Sequence, residues 1–199
     1  MRAVLTAVLA LVRHEVRLMA SLGLWVVRRT HGTGGGGRAF GYARGQGPVM
    51  AGLAFVCLVE TLMMSVLLRN WPTAHAVVLF LDVYTVVFVV ALHAASVVRP
   101  HVLGADGLRI RHGVHVDLRV PLERIASVRR EPRTTHERAD GELNVPVAFQ
   151  TSLTLELTAP VEHVTLLGRL RRVRVVRLHA EDADALVGAL TALTRARAE

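Results

Sequence analysis

Residues 49–98 read VMAGLAFVCLVETLMMSVLLRNWPTAHAVVLFLDVYTVVFVVALHAASVV, two long apolar stretches (49–69 and 75–98) parted by Asn70-Trp71-Pro72-Thr73-Ala74. Each stretch is about 20 residues or longer, and at ~1.5 Å per helical residue that crosses ~30 Å of hydrocarbon. The link is too short to hold a domain. The pair is therefore expected to form an antiparallel transmembrane helical hairpin over residues 49–98.

Composition points the same way. The chain of 199 residues is 52% hydrophobic with a mean hydropathy of +0.40, high for a soluble protein of this length. All 24 basic residues are Arg. Together with the abundance of Ala, Val, Leu and Gly, this codon-biased usage fits a high-GC, actinobacterial genome. The single cysteine, Cys57, lies inside the first stretch, so no intrachain disulfide forms. A net charge of +8 raises nucleic acid as a partner, yet cytoplasmic segments of membrane proteins carry such charge opposite anionic lipid.

Orientation follows from the Arg residues. Arg28, Arg29, Arg38 and Arg44 precede the first span, and Arg99, Arg109 and Arg111 follow the second. The link between the spans carries Arg69 alone. The positive-inside rule places both termini in the cytoplasm of a multi-pass protein of the cell membrane.

The N-terminal segment, residues 1–29, is amphipathic. On a 3.6-residue helix Arg2, Thr6, Arg13, His14, Arg17, Ser21 and Arg28 share one side. Val4, Leu5, Val8, Val12, Met19, Leu22 and Val26 share the other, with Glu15 interrupting that apolar side. This is the pattern of an interfacial helix, apolar face in the acyl boundary and Arg face toward headgroups. The same apolar face would equally serve to pack on the membrane hairpin or on the C-terminal domain. The apolar run Ala3–Val12 is cut by Arg13-His14-Glu15-Val16-Arg17, and Ser21-Leu22-Gly23 lies well beyond it, so a cleaved signal peptide is not expected.

Residues 30–48 hold eight of the sixteen glycines, the composition of a flexible linker. A phosphate loop is not written there: the chain has no Lys for a P-loop, and no strand-Gly-helix context exists for a dinucleotide fold.

Within the spans, Glu60, Asp82 and His93 are the informative polar residues. Glu60 sits near the middle of the first helix and Asp82 seven residues into the second, within one helical turn of the same depth. His75, Asp82, Thr85, His93 and Ser96 form one stripe, and Cys57, Glu60 and Met64 share a face. A midplane carboxylate costs ~3 kcal/mol on insertion scales. Such a stripe serves either as a proton or cation path, which requires a homo-oligomer, or as interhelical hydrogen bonding.

From residue 99 the pattern changes to short alternating strands. Leu108 and Ile110 face one way and Arg109 and Arg111 the other. His112-Gly113 turns the chain, and Val114–Val120 alternates again. Further strands are expected at Ala126–Arg130, Phe149–Leu157, His163–Leu167 and Val173–Leu178, with Glu131–Asn144 as a long polar loop. A closing amphipathic helix from about Glu181 to Arg197 is opened by Asp182 and Asp184 and lined by Leu186, Val187, Leu190 and Leu193. Residues 99–199 are thus expected to form a small antiparallel β-barrel or curled sheet plugged by the C-terminal helix. The fold class is an α+β membrane protein.

The stretch RPHVLGADGLRIRHGVHVDLRVPLERIASVRRE, directly after a two-helix hairpin, resembles the bacterial pleckstrin-homology-like membrane proteins. The matching positions are Asp106, Gly107, Leu108, Gly113, Val120, Pro121, Leu122, Ile125, Ser127 and Val128. The whole is also similar to small uncharacterised integral membrane proteins of actinobacteria. The resemblance implies a PH-like domain and a non-enzymatic binding or scaffolding role, and it carries over no catalytic residue.

The residues themselves offer little to an enzyme. His112 and His115 have no Cys or HExxH partner for zinc, so no metal or cofactor is expected. Ser127 lacks a GxSxG elbow. His101, His136, His163 and His179 are scattered and read as exposed or singly hydrogen-bonded. Two basic clusters remain, Arg129, Arg130 and Arg133, and Arg169, Arg171, Arg172 and Arg174 with Arg177. They suit anionic lipid or an acidic protein partner, unless Glu131, Glu137, Asp140 and Glu142 merely balance them. Nucleic acid is not expected, since Phe149 is the domain's one Phe, Tyr or Trp and no stacking platform exists.

The expectation is a scaffold: a cytoplasmic PH-like domain held at the inner leaflet, with the bilayer and a membrane or cytoplasmic protein as partners. The alternative is a transporter or channel subunit using Glu60 and Asp82.

Overall fold

The computed structural model describes residues 2–33, 36–137, 139–166 and 168–198. Helix α1 spans Arg2–Val26, α2 Gly47–Leu67, α3 Pro72–Val98 and α4 Ala183–Ala198. Proline sits in the first turn of both α2 and α3, where its missing N–H is not needed and its fixed φ favours the helix. For that reason α3 starts at Pro72 rather than at residue 75. Leu68 N–H donates to the Met64 carbonyl at 2.9 Å and Trp71 N–H to the Leu68 carbonyl at 2.9 Å, which closes the turn within residues 68–71.

Both hairpin helices are long and apolar enough to cross a membrane, yet only 6% and 11% of their apolar windows are buried within the chain. The core helix of a soluble protein would be covered. Here Phe55, Leu62, Met63, Leu67 and Phe80 stand exposed. A continuous apolar surface of that extent calls for a non-aqueous neighbour.

Helix α1 lies against the last turns of α3. Leu18, Met19 and Leu22 pack with Phe88, Ala91, Leu92 and Ala95, and with Val114 of the β domain. Small residues at 91, 94 and 95 allow this close approach. The helical wheel needs one correction: Ser21, assigned to the polar side, is fully buried because α1 is clasped between α3 and the β domain. Glu15, the interruption on the apolar side, accepts a hydrogen bond from Tyr84 Oη at 2.5 Å. Val8, Leu9, Leu11, Val12 and Val16 remain exposed. The side chains of residues 2–7, which include Arg2, Val4, Leu5 and Thr6, lie outside the described ones.

The β domain holds two sheets. In the first, strands β1 (Arg38–Phe40), β2 (His101–Gly104), β3 (Gly107–His112) and β4 (Val116–Pro121) form an antiparallel meander in that order. The second is ordered β5 (Ile125–Arg133), β7 (Thr151–Val164), β8 (Leu170–Leu178), β6 (Glu142–Val145), with β6 parallel to β8 and the other pairs antiparallel. One core joins them: Phe40, Leu108, Ile110 and Val120 from the first sheet, Leu153, Leu155, Val176 and Leu178 from the second, and Leu186 and Leu190 from α4.

The expected barrel does not close. Pro121 and the 3₁₀ turn Leu122–Arg124 carry the chain from β4 into β5, which pairs with β7 instead of β4. The sheets therefore face each other and α4 fills the open side. Asp182 caps that helix, its carboxylate accepting the Ala185 N–H at 2.9 Å.

Four local expectations are also corrected. The linker 30–48 is not a tether throughout: Arg38–Phe40 hydrogen-bonds to His101–Leu103, and Phe40 enters the core. The polar loop Glu131–Asn144 gives up its ends to β5 and β6, the latter built by a parallel pairing that leaves no local turn signal. Phe149 is 85% exposed and outside β7, because Ala148 and Phe149 take left-handed φ of 47° and 64° in a turn closed by Val147 and Gln150. The strands begun at residues 149 and 163 are one strand, β7, bulged between Glu156 and Val161; Leu167 lies outside the described residues.

Leu186→Ala should lower unfolding stability by about 2–5 kcal/mol and Asp182→Ala by about 1 kcal/mol. Denaturant melts of the full-length chain in mild detergent check both values, and equal effects of the two would contradict the packing assigned to α4.

Candidate binding surfaces

The polar residues of the two apolar helices do not form one constellation. Glu60 is exposed on α2, away from α3, whereas Cys57 and Thr61 face inward. Asp82 is half-buried on α3 with Oδ2 unpartnered, and no hydrogen bond or ion pair joins it to Glu60 among the described residues. His93 is half-buried, edge-on to Trp25 with ring centroids 6.1 Å apart. Near the turn, Ser65 Oγ and His75 Nε2 are 2.9 Å apart and link the two helices. Thr61, Thr85 and Ser96 return their hydroxyls to carbonyls four residues back in their own helices.

The first Arg cluster is neutralised. Arg129 pairs with Glu156 at 2.5 Å, Arg130 with Asp184 at 2.8 Å and Arg133 with Glu131 at 2.5 Å. Arg177 is bidentate to Glu142 across β8 and β6. Of the balancing carboxylates expected, Glu131 and Glu142 serve, and Glu156 and Asp184 complete the set.

The second cluster is different. Arg169, Arg171, Arg172 and Arg174 are all exposed, and none makes an ion pair among the described residues. They ring the tip of the β7–β8 hairpin, where Val164 and Leu170 are 57% and 66% exposed. The tip is hydrogen-bonded: Thr165 N–H donates to Arg169 O at 2.9 Å, Gly168 N–H to Thr165 O at 2.8 Å and Arg169 N–H to Thr165 Oγ1 at 3.1 Å. Gly168 takes the left-handed φ of 78° that the turn requires.

This tip lies at the end of the β domain remote from the helices. At the helix-bearing end, His101 Nε2 meets the His179 carbonyl, Glu181 N–H donates to Gly41 O, and the Gly113 turn contacts Tyr42. From Leu178 to Leu170, β8 runs about 26 Å away from that end at ~3.3 Å per residue. The 3₁₀ turn that follows β4 and the C-terminal end of α4 are joined in turn by Arg197 and Glu123 at 3.4 Å.

At the helix-bearing end lies a cluster that sequence reading did not find. Arg111 is 1% exposed; its Nη1 donates to His31 O at 2.7 Å, while Nε and Nη2 have no hydrogen-bond partner among the described residues. Arg99, also buried, donates from Nε to Ser21 Oγ at 3.0 Å. The nearby carboxylate, Asp117, is engaged by Arg109 through two 2.6 Å bonds and stands 3.9 Å from Arg111 Nε. Strand alternation predicts Arg111 on the solvent side of β3. That side is covered by His31, whose carbonyl accepts from Arg111, and by Gly32, where a side chain would strike the Arg111 guanidinium, so the alternation is right and the exposure wrong.

Histidines line the same junction. His101 is buried, accepts the Arg111 N–H at 3.1 Å and sits 4.8 Å from the Tyr42 ring. Burial pushes His101 and His112 down to about 4, and the Tyr42 phenol up to about 12. His14 of α1 and His115 of the β3–β4 turn meet edge to face at 4.8 Å, and burial lowers both. Among the described residues no three His, Cys, Asp or Glu side chains converge on a metal-sized site.

Comparison with protein-family models, with curated proteins and with solved structures returns no match for this chain.

Because the folded pKa of His101 and of His112 lies below the unfolded value near 6.5, the fold favours their neutral forms. Their contribution is whole above that value and is lost as pH falls from 6.5 toward 4, by about 3 kcal/mol for His101 alone. Thermal melts between pH 7.5 and 4.5 should fall steeply on the acid side. His101→Gln should flatten that limb; an unchanged acid limb would refute the assignment.

Proposed function

We propose that the chain is a membrane-anchored, non-enzymatic binding or scaffold protein that presents a PH-like domain on the cytoplasmic face of the cell membrane. The observation that carries this reading is the hydrogen-bonded β7–β8 tip, whose four arginines make no ion pair among the described residues and surround exposed Val164 and Leu170 at the far end from the apolar helices. At about 26 Å from the helix-bearing end, it stands beyond the ~8 Å reach of headgroup charge at physiological salt. An acidic protein surface suits it better than lipid, since Arg forks grip carboxylates and the two aliphatic side chains supply an apolar anchor.

Support for a PH-like domain comes from the order of parts: a four-stranded meander, a second facing sheet, and a C-terminal helix over the open side. The positions that carry the resemblance have structural work there. Leu108, Val120 and Leu122 are core, Gly113 turns at φ 52°, and a side chain at Gly107 would strike the Val120 carbonyl. The β1 strand, drawn from before the helical hairpin, and the parallel β6 depart from the simplest version. The β1–β2 pairing fits a hairpin whose two ends lie on one side, because it ties the residues before α2 to those after α3.

A photocrosslinker at position 170 in native membranes should capture a defined partner. Arg171→Glu with Arg172→Glu should cut capture by about tenfold or more, as should raised salt, whereas Glu60→Gln with Asp82→Asn should leave it intact. The exposed mid-helix Glu60 and the unpartnered Asp82 Oδ2 favour a second reading, an oligomeric transporter or channel subunit. That reading prevails if the carboxylate variants abolish function and the tip variants do not.

The membrane assignment has its own test. Alkaline carbonate should fail to release the chain, and a phosphatase fused after residue 199 should be inactive because it stays in the cytoplasm. Release by carbonate, or an active fusion, would overturn the placement.

A further inference from the structure

Helix α1 ends in a turn with an unusual occupant. Arg29 N–H donates to Leu24 O at 2.9 Å and Arg28 N–H to Trp25 O at 3.0 Å, the paired bonds of a Schellman cap. The residue at the turn's left-handed position is Arg28, with φ 55°, where glycine is the favoured choice and a side chain costs about 1 kcal/mol. The turn brings Arg28 and Arg29 back along a groove whose apolar wall is Trp25, Val26, Val97 and Val98, with a volume of about 480 Å³.

The charge behind this groove is as one-sided as its rim. His31 N–H donates to the Val98 carbonyl at 2.8 Å, and the carbonyl of His31 accepts Arg111. Arg99 follows Val98 directly. Two buried guanidiniums thus stand one backbone segment behind Arg28 and Arg29, and two Arg111 donors have no hydrogen-bond partner among the described residues. Asp117 is committed to Arg109. Buried positive charge with so little compensation is unfavourable unless an anion shares the site.

We infer that the groove between the ends of α1 and α3 binds an anionic phospholipid, its phosphate on Arg28 and Arg29 and an acyl chain along Trp25, Val26, Val97 and Val98. Charge complementarity selects the anion, and the apolar wall selects a lipid over a free phosphate. Arg99 and Arg111 act through space, as a fixed positive field behind the rim. The inference rests on the membrane placement proposed above.

The chain carries two tryptophans, so Trp71→Phe leaves Trp25 as a lone reporter inside the groove. In the full-length Trp71→Phe protein reconstituted in phosphatidylcholine, brominated phosphatidylglycerol should quench Trp25 at about tenfold lower mole fraction than brominated phosphatidylcholine. Arg28→Gln with Arg29→Gln should remove the preference. Arg28→Gly should weaken it while leaving the melting temperature equal or higher, because the left-handed strain is relieved; this separates binding from folding. Equal quenching by the two lipids, a preference untouched by the Arg variants, or a preference erased by millimolar inorganic phosphate would each overturn the inference. A chain that resists carbonate extraction but shows no preference would sink this site alone; release by carbonate would sink the placement beneath it.

Discussion

A ladder of three residue pairs, Arg38–Phe40 against Leu103–His101, holds the two feet of the helical hairpin together. It brings sequence from before α2 into the same sheet as sequence from after α3, and Phe40 anchors the union in the core. The placements around the junction follow from it. With the feet joined, α1 is drawn across the base of α3, Tyr42 is set under the Gly113 turn, and residues 31–33 are laid over Arg111. The β domain is therefore fixed to the helices through backbone and core. A floppy tether would leave the orientation of the β7–β8 tip undefined; this junction aims it.

The junction is also where the fold accepts unfavourable electrostatics. Burying a guanidinium costs several kcal/mol unless its donors are matched. Arg99 finds Ser21, but Arg111 is matched at only one nitrogen besides the distant Asp117 carboxylate. His101 and His112, pressed toward neutrality, avoid adding further charge. Acid would add it and would load the same small volume with like charges. The packing and hydrogen bonds that join helices to sheets thus come with a local excess of buried positive charge.

Much of this was legible in the sequence, and the failures have a common cause. The two apolar helices, the β3–β4 hairpin with its Gly113 turn, and the capped α4 are local patterns, each readable within twenty-odd residues. What was missed is long-range. β1 has three residues and a glycine-rich neighbourhood, so only its remote partner makes it a strand. β6 is recruited by a parallel pairing with β8, and the barrel stays open because β5 prefers β7 to β4. Arg111 follows its predicted alternation, yet the His31 carbonyl that covers its guanidinium comes from 80 residues upstream. The Arg cluster at 169–174 was found from charge density alone. Its contrast with Arg129, Arg130 and Arg133 was not, since ion pairs with Glu156 and Asp184 join positions far apart in the chain.

Two positively charged regions now separate by location. One sits where the helices enter the β domain, close to any bilayer that the apolar helices occupy, and it has an apolar groove beside it. The other sits about 26 Å along β8, with exposed Val164 and Leu170 beside its arginines. Screening at physiological salt falls off over ~8 Å, so the two fields act on different neighbours. The near region acts on whatever contacts the helix ends; the far region acts on whatever diffuses in the aqueous phase. A single uniformly basic face would attract lipid and protein indiscriminately. Separation along the strand keeps the exposed arginines of the β7–β8 tip clear of the buried positive charge where the helices meet the sheets.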